Sequence, residues 1–175
     1  ERVLSVEELK GYVDRQYPKD KRGAMERPDV RYLLARRLVR VGEWKAAREY
    51  MPAELLPKLE PYVSGIRAGH DASRSKARRA ESLWQAARIA RHDGMELMGC
   101  ELYPDHAESE GGFDFGDERS GRAEIGQRSR LNAASADELA RAQKSLPEPV
   151  KRFHYRYIAA DHAWAAAELL PDESE

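Results

Sequence analysis

The stretch that most limits what this chain can become runs from Arg40 to Pro52 and reads RVGEWKAAREYMP. Gly42 separates two runs of helical character, Trp44 follows two residues later, and after Ala46 and Ala47 a proline at position 52 stops the second run. Glycine suits the position just past a helix end, because it takes left-handed backbone values without steric cost, and proline cannot continue a helix. The arrangement predicts a helical hairpin whose alanines let the two helices approach. Period-two alternation, the mark of a half-buried strand, is not convincing anywhere in the chain, so the expected fold class is all-α.

Start and stop signals divide the rest. Ser5-Val6-Glu7-Glu8 reads as a capping box, with Leu4 and Leu9 placed to staple over it, Val6, Leu9 and Val13 as an apolar face, and Pro18 as the stop. A second helix is expected from Pro28 to Val41, with Leu34, Leu38 and Val41 on one face, and a short one from Glu43 to Met51. Ala53 to Ala68 sets Leu59, Tyr62 and Ile66 on one side, with Pro57 and Pro61 delaying or kinking the helix. The longest helix is expected from Ser73 to Asp93, with Ala80, Leu83, Ala87 and Ala90 inward and Gly94 closing it.

Residues 102–131 are rich in Gly, Asp and Ser without periodicity and read as a long acidic loop. Ser135-Ala136-Asp137-Glu138 is a second capping box, opening a helix that closes near Pro147. The last helix is expected from Val150 to Leu170, with Phe153, Tyr157, Ala160, Trp164 and Ala167 as its inward stripe.

Composition narrows the function classes. A chain of 175 residues can bury a core without staples, and no apolar run is long enough to span a bilayer. No cofactor is expected. The single cysteine, Cys100, excludes an internal disulfide and a cysteine-built zinc site. The net charge of −1 conceals an asymmetry: residues 1–100 carry 21 Lys and Arg against 15 Asp and Glu, while Glu101 to Glu118 holds seven carboxylates and no Lys or Arg. A cytoplasmic location is the expectation, with the natural start upstream of Glu1.

An internal echo points to repetition. YLLARRLVRVG from Tyr32 aligns with WQAARIARHDG from Trp84, sharing the aromatic, the Ala-Arg pair and the closing Gly. Ala35, Leu38, Gly42, Trp44, Ala47 and Met51 fall at spacings that resemble the tetratricopeptide repeat (TPR) family, and ADHAWAAAELLP resembles a second helix of such a unit. That family's period is about 34 residues, and the segment after Pro52 would supply the excess seen here. The resemblance implies one domain over residues 1–175, a short irregular TPR-like solenoid of stacked antiparallel hairpins and part of a longer array. Another helix or subunit would cover the Trp164 face, with self-association through the C-terminal helix as one route.

The family's concave surface is lined by the first helix of each unit. By that resemblance the partner-binding residues would be Tyr32, Arg36, Val39 and Arg40 with Trp84, Arg88, Arg91 and His92. Arginine forks and flat rings suit an acidic, carboxylate-bearing peptide. The family's peptide-carboxylate clamp needs asparagines beside its cations, and Asn132 is the only asparagine in the chain.

The expected function is therefore a non-enzymatic protein-interaction scaffold. The alternative is a metal-dependent enzyme or ion-binding protein using the acidic loop, where His106, Glu108, Glu110, Asp114 and Asp117 are hard-metal ligand types. Their spacing matches no calcium hand or zinc helix. No Ser or Cys nucleophile stands beside a base, and His154 and His162 read as core histidines. Arg74, Lys76, Arg78 and Arg79 crowd a helix start where cations are disfavoured. Docking of the chain's own acidic loop is a simpler account of them than nucleic acid, which is not an expected partner.

Overall fold

The computed structural model describes residues 3–18, 30–100, 134–151 and 153–170. The acidic segment expected as a loop, with His106, lies outside them. Among the described residues there are seven α-helices and no strand: α1 (Val6–Gln16), α2 (Val30–Arg40), α3 (Trp44–Tyr50), α4 (Leu56–His70), α5 (Lys76–Met98), α6 (Ala136–Lys144) and α7 (His154–Ala167). A single 3₁₀ turn, Ala53–Leu55, leads into α4.

Both capping boxes form as their sequences predict. Ser5 Oγ accepts from the Glu8 N–H at 3.1 Å, and the Glu8 carboxylate accepts from the Ser5 N–H at 2.8 Å. Ser135 and Glu138 repeat the exchange at the head of α6. Between α2 and α3 the Gly42 N–H donates to Val39 O and the Glu43 N–H to Leu38 O, while Gly42 takes φ = 79°. This two-bond closure satisfies carbonyls that the end of a helix would otherwise leave bare, and its left-handed position favours glycine. Pro57 sits in the first turn of α4, where a missing N–H removes no helical bond, and Pro61 is carried inside the helix.

α5 is the spine, packing against α2, α4 and α7. It also extends past the expected stop. Gly94 lies inside α5, which continues to Met98, because that position needs the absence of a side chain rather than a break: a Cβ there would come 2.7 Å from Tyr155 Cβ. On the α4 side, a Cβ on Gly65 would meet Ser82 O at 2.9 Å, and one on Gly69 would meet Leu83 Cγ at 2.4 Å. Gly65 against Ala86 and Gly69 against Leu83 make α4 antiparallel to α5, and Gly94 against Tyr155 together with Leu83 clustered with Ala166 makes α7 antiparallel to it as well. Lys58 fastens the start of α4 to the end of α5 through Asp93 at 3.0 Å and through Glu96. Those carboxylates, Glu96 foremost, push its pKa up to about 12.

The main core joins Leu9 and Val13 of α1, Leu34 and Leu38 of α2, Ala47 and Tyr50 of α3, Leu59, Tyr62 and Ile66 of α4, Ala86 and Ala90 of α5, and Tyr155 and Ala159 of α7. Ala80, Leu83 and Ala166 form a second cluster. The expected inward faces of α4 and α5 are buried. Val41, expected on the inner face of α2, is exposed.

The last helix is turned the other way from expectation. His154, Tyr155, Ala159 and Ala166 are buried, whereas Tyr157, Ala160, Trp164 and Ala167 face solvent. Alanines lie on both faces of α7, so its own sequence gives a weak preference. The pocket for Tyr155 over Gly94, on a different helix, decides the rotation.

α6 buries no residue and is tied down by polar links. Arg141 reaches Glu8 of α1 at 3.0 Å, and Arg37 of α2 donates to Ser145 Oγ at 2.8 Å.

Candidate functional site

Six of the eight residues expected to bind a partner divide into two groups with different surroundings. Tyr32 and Arg40 of α2 reach the C-terminal end of α5, and Arg36 packs against Tyr32. The Tyr32 hydroxyl donates to Glu96 O at 2.6 Å, and Arg40 Nη1 donates to Gly99 O at 2.8 Å and Met98 O at 3.2 Å. Arg36 is 2% exposed with its guanidinium 4.6 Å from the Tyr32 ring centre. Burial, ahead of any charge, pushes the Tyr32 pKa up. Tyr32 and Arg40 thereby close the C-terminal end of α5, where the exposed carbonyls and the macrodipole favour a cation such as Arg40. Trp84, Arg88 and Arg91 instead form an exposed stripe on α5. Val39 is buried and His92 exposed.

The echo between α2 and α5 therefore pairs like letters with unlike environments. Ala35 and Ala87 are both buried, but Arg36 is enclosed where Arg88 is open. Gly42 turns the chain where Gly94 admits a ring.

The basic cluster before α5 also has an internal use. Arg79 Nε donates to Gly69 O at 2.9 Å, and Arg74 pairs with Asp71 at 3.2 Å. Cations unfavourable for the first turn of α5 thus sit at the last turn of α4, where the dipole has the opposite sense. Ser75 caps α5, accepting from the Arg78 N–H. The acidic loop that this cluster was expected to hold lies outside the described residues.

A groove of about 440 Å³ opens between α3, α4 and the turn that leads into α5. Its apolar wall is Trp44, Leu59, Val63 and Ala68. Around that wall stand Lys45, Arg48, Arg67 and Arg74 against two carboxylates, Glu60 and Asp71. Arg48 pairs with Glu60 at 2.6 Å, and the Asp71 carboxylate is held low first by the Ser73 hydroxyl and N–H and then by Arg74. The Arg67 guanidinium lies 5.4 Å from the Trp44 ring centre. Two cations, Lys45 and Arg67, have no ion pair among the described residues, so the groove carries a surplus of positive charge beside an indole.

Sequence reasoning used Trp44 only as a repeat position and passed over Arg48 and Arg67. Their signal was available in pieces. Lys45 and Arg48 flank Trp44 on a helix too short to bury them, and Leu59, Val63 and Arg67 recur every fourth residue along α4.

His154 and His162 of α7 are both packed against neighbouring helices. His154 is fully buried with Nε2 2.9 Å from Met98 O. His162 lies half-buried 6.1 Å from the Tyr62 ring, and its Nε2 has no hydrogen-bond partner among the described residues. Burial first, then the neighbouring His70, lowers its pKa below 6.5, with Asp161 opposing. Above that value folded and unfolded chains both hold a neutral His162, so its titration leaves stability independent of pH. As pH falls through 6.5 the unfolded chain takes up the proton first, and stability declines. Urea midpoints at about pH 7.5 and about pH 5.5 are expected to fall less for His162→Gln than for the parent; equal falls would remove His162 as a source of the acid sensitivity.

Among the described residues no group of three or more His, Cys, Asp or Glu side chains could hold a metal ion, and no helix is long and apolar enough to cross a membrane. No protein-family model, curated protein or solved structure matches the chain.

Proposed function

We propose that this chain is a non-enzymatic, TPR-like interaction scaffold that takes an acidic segment of a partner protein into the groove between α3 and α4. The observation that carries the reading is the excess of cations around an apolar wall topped by Trp44. Carboxylates entering the groove would meet Lys45 and Arg67, while apolar side chains of the same segment would cover Trp44, Leu59 and Val63. Aromatic and arginine side chains together are the residue types that concentrate binding energy at interfaces, and complementary charge speeds encounter. The stacked consecutive helices α2–α3 and α4–α5 support a repeat-like frame, in which the groove lies where two units meet.

The test is fluorescence anisotropy with two short labelled peptides, one rich in Glu and Leu and the other with Lys replacing Glu. The acidic peptide is expected to bind with an affinity that falls as salt rises, and the basic one is not. Arg67→Glu combined with Lys45→Glu is expected to weaken the acidic peptide at least about tenfold, with the helical circular dichroism unchanged because both side chains are exposed. Equal binding of the two peptides, or indifference to the charge reversals, would overturn the proposal.

A further inference from the structure

The cations of the α3–α4 groove are not spread evenly along it. Two contacts fix how its walls run. Arg48, late in α3, pairs with Glu60, early in α4, at 2.6 Å. Arg67, in the last turn of α4, lies 5.4 Å from the ring of Trp44, the first residue of α3. The start of α3 therefore faces the finish of α4, and the groove has two distinct ends.

At the Trp44 end stand Lys45, Arg67 and Arg74 against one carboxylate, Asp71. That carboxylate already accepts from the Ser73 N–H and hydroxyl and from Arg74 Nε. The last carbonyls of α4 bring partial negative charge to this end, and Arg79 covers one of them by donating to Gly69 O at 2.9 Å. At the other end Arg48 and Glu60 neutralise each other beside Leu59. Lys45 and Arg67, the two cations without an ion pair among the described residues, thus share one end, and Val63 lies one helical turn from Arg67 on the way to Leu59.

We propose, building on the reading of this groove as a partner site, that its ligand is a polarised, extended peptide segment. Its carboxylates are gathered at one end and seat at Lys45 and Arg67, and its apolar side chains follow over Val63 and Leu59. A carboxylate placed at the far end would meet Glu60, with only Arg48 to offset it. The spacing agrees with an extended chain. Val63 and Leu59 lie about 6 and 12 Å from Arg67 along α4, at 1.5 Å per residue. A strand rises about 3.3 Å per residue and shows every second side chain on one face. Apolar side chains two and four residues from the last carboxylate therefore reach both positions from the same side.

Fluorescence anisotropy at fixed salt with isomeric peptides tests the polarity. Each peptide holds two Glu, two Leu and Ser spacers, with the Glu residues together at one end or one at each end. The block arrangement is made in both chain directions. The better block isomer is expected to bind at least about threefold more tightly than the split isomer, the scale of exposed charge pairs. Glu60→Gln releases Arg48 at the far end and is expected to close that gap, with helical content unchanged because Glu60 is exposed. Equal binding of block and split isomers, with a Lys-for-Glu peptide not bound, would overturn the polarity while leaving the groove as a partner site. A preference that survives Glu60→Gln undiminished would overturn it too. Failure of every Glu peptide to bind would overturn the partner site and the polarity together.

Discussion

Leu83→Ala is expected to lower the unfolding free energy by about 2–5 kcal/mol, the range for truncating a buried leucine. Leu83 is 2% exposed and belongs to the small cluster with Ala80 and Ala166 that seals one end of α5. It also occupies the space a side chain at position 69 would need, since a Cβ on Gly69 would lie 2.4 Å from its Cγ. Gly69→Ala in the parent therefore overpacks the α4–α5 contact, at a cost of about 1–3 kcal/mol. With Leu83 already cut to alanine, the added methyl enters the cavity instead of a filled site. The double variant is expected to be more stable than the sum of the single losses by about 0.5–3 kcal/mol, the scale of coupling between touching residues. Urea denaturation of the four chains measures this. Strictly additive losses would mean that Gly69 and Leu83 do not face each other.

Gly94→Ala is the second large effect. Alanine is the better helix former by about 1 kcal/mol, and in a solvent-facing helix the change would stabilise. Here the new methyl would sit 2.7 Å from Tyr155 Cβ, 2.8 Å from Cδ2 and 2.9 Å from Cγ. The closest of these is the first atom of the side chain, so a rotamer change of Tyr155 cannot relieve it and α7 must move. A net loss of about 1–3 kcal/mol is expected from overpacking. Tyr155→Ala in the same chain does not recover it, because Cβ remains. Thermal unfolding followed at 222 nm checks the sign, and an increase in melting temperature would show that α7 does not rest on Gly94.

These two sites also show what a reader of the sequence could and could not see. Local signals carried far. Ser5-to-Glu8 and Ser135-to-Glu138 each hold the four residues of a capping box, and Gly42 sits where only one closure of α2 fits; nothing distant is needed to interpret them. The inward faces of α4 and α5 were equally legible, since Leu59, Tyr62 and Ile66, and Ala80, Leu83, Ala87 and Ala90, recur at helical spacing and are buried.

Gly94 was not legible, because glycine as a helix stop and glycine as a seat for a ring look alike until Tyr155 is placed. The outward rotation of α7 has the same origin. Tyr155, Ala159 and Ala166 on one face and Tyr157, Ala160 and Trp164 on the other are nearly matched in size and polarity, and contact with α5 breaks the tie. The arginines illustrate the reverse case. A cation on a helix reads as surface, yet Arg36 is enclosed against Tyr32 because α2 ends beside α5, whereas Arg88 at the echoing position stays open. The α3–α4 groove depends on two helices and the turn after α4 meeting, so its four cations were visible in the sequence only as charges on α3, on α4 and in that turn.

The most direct test of the groove as the partner site is an indole N–H titration by NMR, in which the labelled chain receives the Glu- and Leu-rich peptide. The chain has three tryptophans, Trp44, Trp84 and Trp164, and each reports on a different place. With a groove that binds acidic segments, the Trp44 signal shifts progressively and saturates, Arg67→Glu removes the shift, and the Trp84 and Trp164 signals stay fixed. Shifts confined to Trp84 and Trp164, or an unmoved Trp44 signal at saturating peptide, would contradict the account.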